Sequence, residues 1–184
     1  MRRMAKYIKK ILISREKISE MCRRLADQIS RDYAGREVVL IGVLRGAFVF
    51  LADLARYLTI PVRIDFMSVS SYGSGTKSSG VVRIVKDLDM DITGRHIIVV
   101  EDIVDTGLTL NHLRNLLSTR NPASIALCTA FDKPERRKID IRVDYVGMKV
   151  PDEFIVGYGL DYDGIYRNLP DVAILGDDGQ GGEK

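Results

Sequence analysis

Two hydrophobic periodicities alternate along the chain, one typical of buried strands and the other of helices. Short, mainly apolar runs occur at 38–44, 97–100 and 124–130, as in strands buried on both faces of a parallel sheet, and the run 97–100 is entirely β-branched. Between these runs, apolar residues recur at helical spacing. Strands that alternate with helices predict an α/β domain with a mostly parallel central sheet flanked by helices.

Three helices are predicted: the first follows Ser14, the second spans 46–58 and the third begins after Gly107. Ser14 is a typical N-cap residue, and the first helix should end near Gly35. The apolar positions are Ile18, Met21, Leu25 and Ile29 in the first helix, the inward-facing Phe48, Leu51, Leu54 and Ala55 in the second, and Leu108, Leu110, Leu113, Leu116 and Leu117 in the third. Further strands are predicted at 62–72, where Ile64, Phe66 and Val69 alternate with polar residues, and at 81–85, 143–146 and 154–156.

The stretch 96–110 carries the densest chemistry, because a buried strand meets acids and then the start of a helix. Ligands bind beyond the carboxyl ends of parallel strands, where the N–H groups of the following helix attract phosphate. Acids would repel phosphate, but carboxylates accept hydrogen bonds from a diol. A sugar phosphate therefore fits best, and an acidic surface turn is the alternative that composition leaves open. The residues concerned are Glu101, Asp102, Asp105, Thr106, Gly107 and Thr109.

Composition narrows the functional classes. The chain has 184 residues, 46% of them hydrophobic, which suits one domain. Its net charge is only +3, and its basic residues are interspersed with acids. The sequence therefore lacks the continuous basic stripe that is typical of nucleic-acid-binding proteins. We expect a basic arm at 1–13, the domain at 14–175 and a flexible tail at 176–184, with no signal peptide and no membrane span. The 2 cysteines lie in apolar patterns, which favours a reducing cytosol, and zinc-ligand spacing is absent.

Three other segments carry candidate chemistry. Leu44-Arg45-Gly46 closes the first buried strand, 71–80 is rich in small polar residues, and Lys133 follows another strand. On the residues alone, each has a simpler interpretation: a helix N-terminus with a solvated Arg, a hairpin loop, and a solvated Lys.

Two motifs change that balance. The sequence 99–107 (Val-Val-Glu-Asp-Ile-Val-Asp-Thr-Gly) resembles the signature of the type I phosphoribosyltransferases, which bind 5-phosphoribosyl 1-pyrophosphate. The sequence 150–162 (Val-Pro-Asp-Glu-Phe-Ile-Val-Gly-Tyr-Gly-Leu-Asp-Tyr) resembles the hood of their hypoxanthine-guanine branch. The likeness covers about 14–175, and it implies the fold of that family, with a small hood subdomain formed from the N-terminal region and about 150–175.

The resemblance implies a role for each matching residue. The ribose phosphate would be bound by Glu101, Asp102, Asp105, Thr106, Gly107, Leu108 and Thr109, and pyrophosphate by Leu44, Arg45, Gly46, Ser71, Tyr72 and Arg167. The purine would meet Lys133, Phe154, Ile155 and Ile103, and Asp161, Glu101 and Asp102 would hold Mg²⁺. Asp105 would be the proton-transfer residue. Relatives often have Lys at the position of Arg45 and a cis peptide before it, and the sequence leaves that peptide's geometry open.

The implied activity is purine salvage, in which hypoxanthine or guanine receives the phosphoribosyl group and pyrophosphate leaves. Mg²⁺ prefers oxygen ligands and phosphates, and a Lys offers only donors, which suit a 6-oxo group. A cytoplasmic homodimer or homotetramer is expected by analogy. Two alternatives stay open: a relative that prefers xanthine, and a regulatory protein that keeps the pocket but binds RNA or DNA.

Overall fold

The computed structural model describes residues 6–71 and 82–177 of the chain. These residues form two sheets and three α-helices. The strands are β1 (Lys6–Ile13), β2 (Val38–Leu44), β3 (Val62–Ser71), β4 (Val82–Lys86), β5 (His96–Val104), β6 (Ser124–Asp132), β7 (Tyr145–Lys149), β8 (Ile155–Val156) and β9 (Val172–Asp177), and the helices are α1 (Arg15–Asp32), α2 (Phe48–Tyr57) and α3 (Leu108–Ser118). A short 3₁₀ helix occupies Pro134–Arg136.

The central sheet has six strands in the order β4-β3-β2-β5-β6-β7. All neighbours are parallel except β3 and β4. This confirms the predicted mostly parallel α/β sheet, and a parallel sheet of this kind needs helices on its faces.

Side chains alternate across β2, which explains its unbroken apolar run. Val38 and Leu40 pack into a core with α1 and α2, whereas Val39, Ile41 and Val43 pack into a second core with α3. Because successive residues of a strand point to opposite faces, both sets must be apolar.

A second sheet of three antiparallel strands, in the order β1-β9-β8, forms a separate hood. Its strands come from the N-terminal region and from the segment after 150, as the resemblance implied. Strand β1 lies within the segment assigned to the basic arm, and β9 extends two residues beyond the predicted domain end at 175. Backbone pairing with β9 therefore orders Lys6–Ile13, a feature that the local charge pattern did not reveal.

Helix α2 turns most of the predicted residues inward, since Leu51 and Leu54 are buried and Ala55 packs against the core, but Phe48 is an exception. Phe48 is 45% exposed, whereas Phe50 is fully buried. The helix begins at Phe48, and the stripe Ala47, Phe50, Leu51 and Leu54 has the spacing of one helical face. The prediction that Phe48 points inward was wrong because the buried stripe is centred on Phe50, Leu51 and Leu54, which leaves Phe48 outside it.

Strand β3 contains a buried acid, Asp65, that the alternation of apolar and polar residues did not predict. Ile64 is 44% exposed, whereas the adjacent Asp65 is 4% exposed. The Asp65 carboxylate accepts hydrogen bonds from the backbone N–H groups of Asp89 and Met90, at 2.9 and 3.1 Å. These bonds compensate for burying a charged group. None of the helices within 6–71 and 82–177 is both long and apolar enough to cross a membrane.

The two phenylalanines of α2 provide a matched test of this packing. Replacing the fully buried Phe50 by Ala should lower the free energy of unfolding by about 3–5 kcal/mol, because it leaves a cavity in the core. Phe48→Ala should cost about 1 kcal/mol or less, since much of that ring is already in water. Urea denaturation of both variants measures the difference, and equal losses would contradict the assigned helix face.

Candidate active site

The candidate site lies where β2, β5 and β6 end at the same edge of the sheet. The parallel register aligns Val38 with His96 and Val104 with Asp132, so the segments that follow the three strands meet. Strand β5 continues through both acids of the signature to Val104 and is longer than the predicted apolar run. Sheet pairing therefore fixes the backbone of Glu101 and Asp102, which the sequence placed beyond the strand.

Gly107 forms the junction between this strand and α3. Its φ angle of +82° is one that side-chain-bearing residues rarely adopt, and α3 begins at the next residue. A small cavity of about 100 Å³ is enclosed by Glu101, Ile103, Val104, Asp105, Thr106, Gly107, Thr109 and Leu110. The structure thus brings most of the predicted ribose phosphate residues around one space at a helix N-terminus, which favours an anion.

Glu101 is buried without a compensating partner. Its Oε2 atom is shielded from solvent and has no hydrogen-bond partner among the described residues. Burial raises the pKa of this carboxyl well above its usual value, and the nearby Asp102 charge raises it further. A site with this property suits a group that donates hydrogen bonds, such as a hydroxyl, or a cation.

Asp102 lies directly against the segment after β2. A Cβ atom placed on Gly46 would lie 1.5 Å from Asp102 Oδ2, so no side chain fits there. Burial raises the pKa of Asp102 to about 6, a shift opposed by the backbone N–H of Ile103 and by the Arg167 guanidinium. The Asp161 carboxylate adds to the rise. The predicted pyrophosphate, ribose and metal residues therefore share one electrostatic cluster.

Arg167 and Asp161 bind each other in this cluster. Arg167 Nη2 lies 2.7 Å from Asp161 Oδ1, and Arg167 Nη1 donates to the carbonyl of Gly159 at 2.6 Å. The second carboxylate oxygen of Asp161 accepts from the Gly164 N–H at 2.7 Å. The ion pair cross-links the loop between β8 and β9, and both side chains lie near enough to Asp102 to influence its pKa.

The remaining pyrophosphate candidates lie at the ends of β2 and β3. The Leu44–Arg45 peptide is cis, which answers the question that the sequence left open. Arg45 is exposed, and Ser71 is the last residue of β3. Tyr72 lies outside the described residues, as does most of the predicted small-residue loop.

The purine candidates surround the end of β6. Lys133 is only 9% exposed and its Nζ donates to the carbonyl of Glu153 at 2.6 Å, so it is not the solvated Lys of the simpler interpretation. Phe154 is 48% exposed and its ring lies 5.7 Å from that of Tyr162, nearly perpendicular to it. Ile155 is buried in β8, and Ile103 packs against the core from β5.

Asp105 has a partner that sequence reasoning missed. Arg136 Nε lies 2.6 Å from Asp105 Oδ1, and Arg136 Nη1 lies 3.2 Å from Asp152 Oδ1. The neighbouring Arg137 donates to the Asp105 carbonyl at 2.8 Å and to Asp132 at 2.6 Å. Two consecutive arginines shortly after Lys133 were the available signal, because paired basic residues at a strand end are poised to meet acids from an adjacent strand.

The acidic residues of the site show whether a metal ion could fit there. Within the described ranges, no group of three His, Cys, Asp or Glu side chains is arranged to hold a metal ion. Glu101, Asp102 and Asp161 nevertheless supply carboxylate oxygens at one end of the site, and the orphaned Glu101 oxygen fits a cation. These residues suit Mg²⁺ that takes its other ligands from phosphate and water, as this ion often does.

A larger, mainly apolar cavity of about 500 Å³ lies to one side, between α1, α2 and residues 167–170. Arg167 lines this cavity and also belongs to the cluster around Asp102. The smaller cavity at Gly107 is the better candidate site, because it holds the carboxylates and the helix N-terminus.

Comparison with known proteins agrees with this geometry. A family model described as a phosphoribosyl transferase domain matches residues 12–163. The hypoxanthine-guanine phosphoribosyltransferase of Streptococcus thermophilus is 52% identical over 170 residues, covering 92% of this chain and 94% of that protein. The hypoxanthine phosphoribosyltransferase of Salmonella typhimurium is 47% identical, covering 91% of this chain and 96% of that protein.

Solved structures give the same result. The crystal structure of a hypoxanthine-guanine phosphoribosyltransferase from Bacillus anthracis superposes with a TM-score of 0.89 at 49% identity, covering 94% of this chain and 99% of that one. A likeness this complete includes both the central sheet and the hood.

The raised pKa of Glu101 makes stability depend on pH in the ligand-free protein. Because its pKa is higher in the folded state, ionisation favours unfolding, and stability is lost as pH rises above the unfolded value. In a metal chelator, Glu101→Gln should gain about 2–4 °C in melting temperature over the parent between about pH 5 and pH 8, equivalent to about 1 kcal/mol. Scanning calorimetry measures this. Glu20→Gln, an exposed control on α1, should show no such gain, and an equal response in both variants would contradict the burial argument.

Proposed function

We propose, because the chain belongs to the phosphoribosyltransferase family, that it transfers the 5-phosphoribosyl group of phosphoribosyl pyrophosphate to hypoxanthine, and to guanine. The products are the nucleoside monophosphate and pyrophosphate. The observation that carries this proposal is the meeting of three strand ends, which puts the signature carboxylates and the α3 N-terminus beside Lys133 and the hood. Relatives at 52% and 47% identity, which are named for these activities, support the same conclusion.

The charge pattern of the site suits the donor substrate. The N-terminus of α3, with Thr106, Gly107, Leu108 and Thr109, would bind the 5-phosphate, because N–H groups and hydroxyls donate to its oxygens. Glu101 and Asp102 would accept hydrogen bonds from the ribose hydroxyls, which supplies the partner that the Glu101 oxygen lacks. One molecule with a phosphate and vicinal hydroxyls therefore satisfies both halves of the cavity.

The pyrophosphate would lie between β2, β3 and the loop after β8. Leu44, Arg45 and Gly46 would meet it at the end of β2, and Arg167 would meet it from the loop after β8. The family resemblance adds Ser71 and Tyr72 to this set. Because Arg167 is paired with Asp161, an arriving pyrophosphate would compete for the guanidinium. Fixed positive groups of this kind stabilise the charge that develops on a leaving group.

Mg²⁺ is the cofactor that we propose, held by Asp161, Glu101 and Asp102 together with substrate oxygens. The donor set is oxygen only. Among the described residues no three His, Cys, Asp or Glu side chains are arranged to hold a metal ion by themselves, so phosphate and water oxygens would have to complete the coordination. When bound, the ion neutralises phosphate charge and makes pyrophosphate a better leaving group.

The purine would occupy the space between Lys133, Phe154, Ile155 and Ile103. The Lys133 ammonium donates to a carbonyl in the free protein, so it is preoriented for the purine 6-oxo oxygen. The half-exposed ring of Phe154 offers a stacking surface, and the Ile155 main chain would face position 2. A 6-amino group would instead set donor against donor and leave one N–H of the ammonium unpaired, which disfavours adenine by about 1–3 kcal/mol.

In the reaction, a bond forms between a purine nitrogen and ribose C1′ while the bond from C1′ to the pyrophosphate oxygen breaks. Asp105 would exchange a proton with the purine near N7, and the Arg136 guanidinium 2.6 Å from its carboxylate would orient it. Holding both substrates in this geometry supplies a large part of the rate enhancement.

We also propose that the enzyme works in the cytoplasm as a homodimer or homotetramer. Cys22 and Cys128 are buried and form no disulfide, which suits a reducing compartment. A solved structure of Trypanosoma cruzi hypoxanthine phosphoribosyl transferase, 43% identical to this chain, concerns the role of the C-terminal region in the oligomeric state of that enzyme. This likeness supports self-association here by analogy. Gel filtration with light scattering measures the assembly directly.

The activity is tested by mixing the protein with phosphoribosyl pyrophosphate, Mg²⁺ and each of hypoxanthine, guanine, xanthine and adenine. Ultraviolet absorbance follows nucleotide formation. We expect turnover with the first two bases and little with adenine. Absence of turnover with every base would favour a regulatory binding protein and overturn the proposal, whereas a dominant xanthine activity would correct the substrate.

Asp105→Asn tests the proton-transfer role. The variant should lower kcat by about 10² to 10⁴ with little change in melting temperature, because the amide keeps the shape but cannot take the proton. Asp152→Asn is the matched control, since Asp152 pairs with the same arginine. If both variants turn over at the parental rate, Asp105 has another role.

Lys133→Ala tests purine recognition. It should mainly raise KM for hypoxanthine and reduce the discrimination against adenine, because the donor that reads the 6-oxo group is removed. Lys149→Ala, an exposed change at the end of β7, should leave both quantities unchanged. A preference for 6-oxopurines that survived the loss of Lys133 would reject it as the reader.

A further inference from the structure

Three consecutive carbonyl groups of the signature loop are held by one neighbouring segment, 133–138. The carbonyl of Val104 accepts from the Lys133 N–H at 2.9 Å, and that of Thr106 accepts from the Lys138 N–H at 3.1 Å. The carbonyl between them, of Asp105, accepts from Arg137 Nη1 at 2.8 Å. Two of these donors are main-chain groups that any residue supplies, but the third depends on the side chain of Arg137.

The direction of these carbonyls fixes the direction of the loop's N–H groups. In a planar trans peptide the C=O and N–H bonds point in opposite directions. Carbonyls of Val104, Asp105 and Thr106 that face segment 133–138 therefore turn the N–H groups of the next residues away from it. The N–H that follows the Asp105 carbonyl belongs to Thr106, which lines the small cavity at the start of α3.

The Arg137 side chain is itself held in place. Its Nη2 donates to Asp132 Oδ1 at 2.6 Å, and the two side chains are only 19% and 11% exposed. Asp132 is the last residue of β6, so the guanidinium is tied to the sheet. A guanidinium has several donors in a rigid fork and can serve both acceptors at once, which an ammonium does less well.

Packing of the same segment against Gly107 provides a second constraint. A Cβ atom on Gly107 would lie 2.9 Å from Ile141 Cγ2 and 3.3 Å from Ile139 Cγ1. The loop is thus pressed between segment 137–141 and the cavity. This close approach restrains Gly107 but not the Asp105–Thr106 peptide, whose orientation still depends on Arg137.

We propose that Arg137 is a positioning residue for the 5-phosphate of the substrate. It holds the Asp105–Thr106 peptide with its N–H directed to the phosphate, and it touches no substrate atom itself. This role rests on the proposed function, because it assumes that the cavity at Gly107 binds a sugar phosphate. It differs from the role of Arg136, which contacts the Asp105 carboxylate and not its carbonyl.

The test compares IMP with inosine, which differ by the 5-phosphate alone. Calorimetric titration gives both dissociation constants for the parent enzyme, Arg137→Met and Arg137→Lys. In Arg137→Met the advantage of IMP over inosine should fall about 10-fold to 100-fold, as expected for one misdirected hydrogen bond to a charged group, while inosine binding stays unchanged. The IMP/inosine affinity ratio of Arg137→Lys should lie between those of the parent and of Arg137→Met, because Lys keeps a hydrogen-bond donor but lacks the two-pronged guanidinium.

Arg142→Met is the matched control. Arg142 is an exposed arginine whose Nε lies 3.3 Å from Asp144 Oδ1, and this ion pair is outside the site. Arg142→Met should keep the parental ratio. An unchanged ratio in Arg137→Met and Arg137→Lys, or an equal loss for IMP and inosine, would overturn the positioning role, and Arg137→Lys decides the matter if the Met variant fails to fold. A parent enzyme that does not distinguish IMP from inosine would instead overturn the proposed phosphate site.

Discussion

The parallel pairing of β2, β5 and β6 is the constraint on which the rest of the structure depends. Strands that run in the same direction end at the same edge, so segments far apart in the chain are forced to meet there. Gly46 illustrates how close this meeting is, since even one methyl group at that position would collide with Asp102. The register of the sheet therefore sets the geometry of the site before any ligand arrives.

That edge concentrates charge in an unusual way. Two adjacent acids on β5 turn their carboxyl groups inward, and the compensating guanidinium of Arg167 is shared with Asp161. Burying acids without full compensation costs stability, which a fold tolerates where the groups serve a ligand. The sugar phosphate and cation that we propose would remove the conflict, because hydroxyl groups and a metal ion provide what the carboxylates lack.

Segment 133–138 serves two parts of the site at once. The Lys133 side chain reaches toward the hood, while its backbone N–H and the donors of Arg137 and Lys138 hold the signature loop from the opposite side. The proposed purine pocket and the proposed phosphate loop thus share one support at the end of β6. A displacement of this segment would alter both substrate sites together.

The sequence by itself determined the sheet, most of its helices and the candidate loop, because these depend on local periodicity. The β2 boundaries were predicted to the residue. The order of acids, threonines and Gly107 predicted sugar phosphate chemistry at the loop after β5, which stays a proposal. The family resemblance added the hood and the roles of its residues. Tertiary structure decided what depends on partners distant in sequence: the pairing of β1 with β9, the burial of Asp65, and Phe50 in place of Phe48 as a core residue. Only the tertiary structure showed that Arg136 and Arg137 contact the loop that contains Asp105. Hydrogen bonds between strand ends depend on the register of the sheet, which no local pattern encodes.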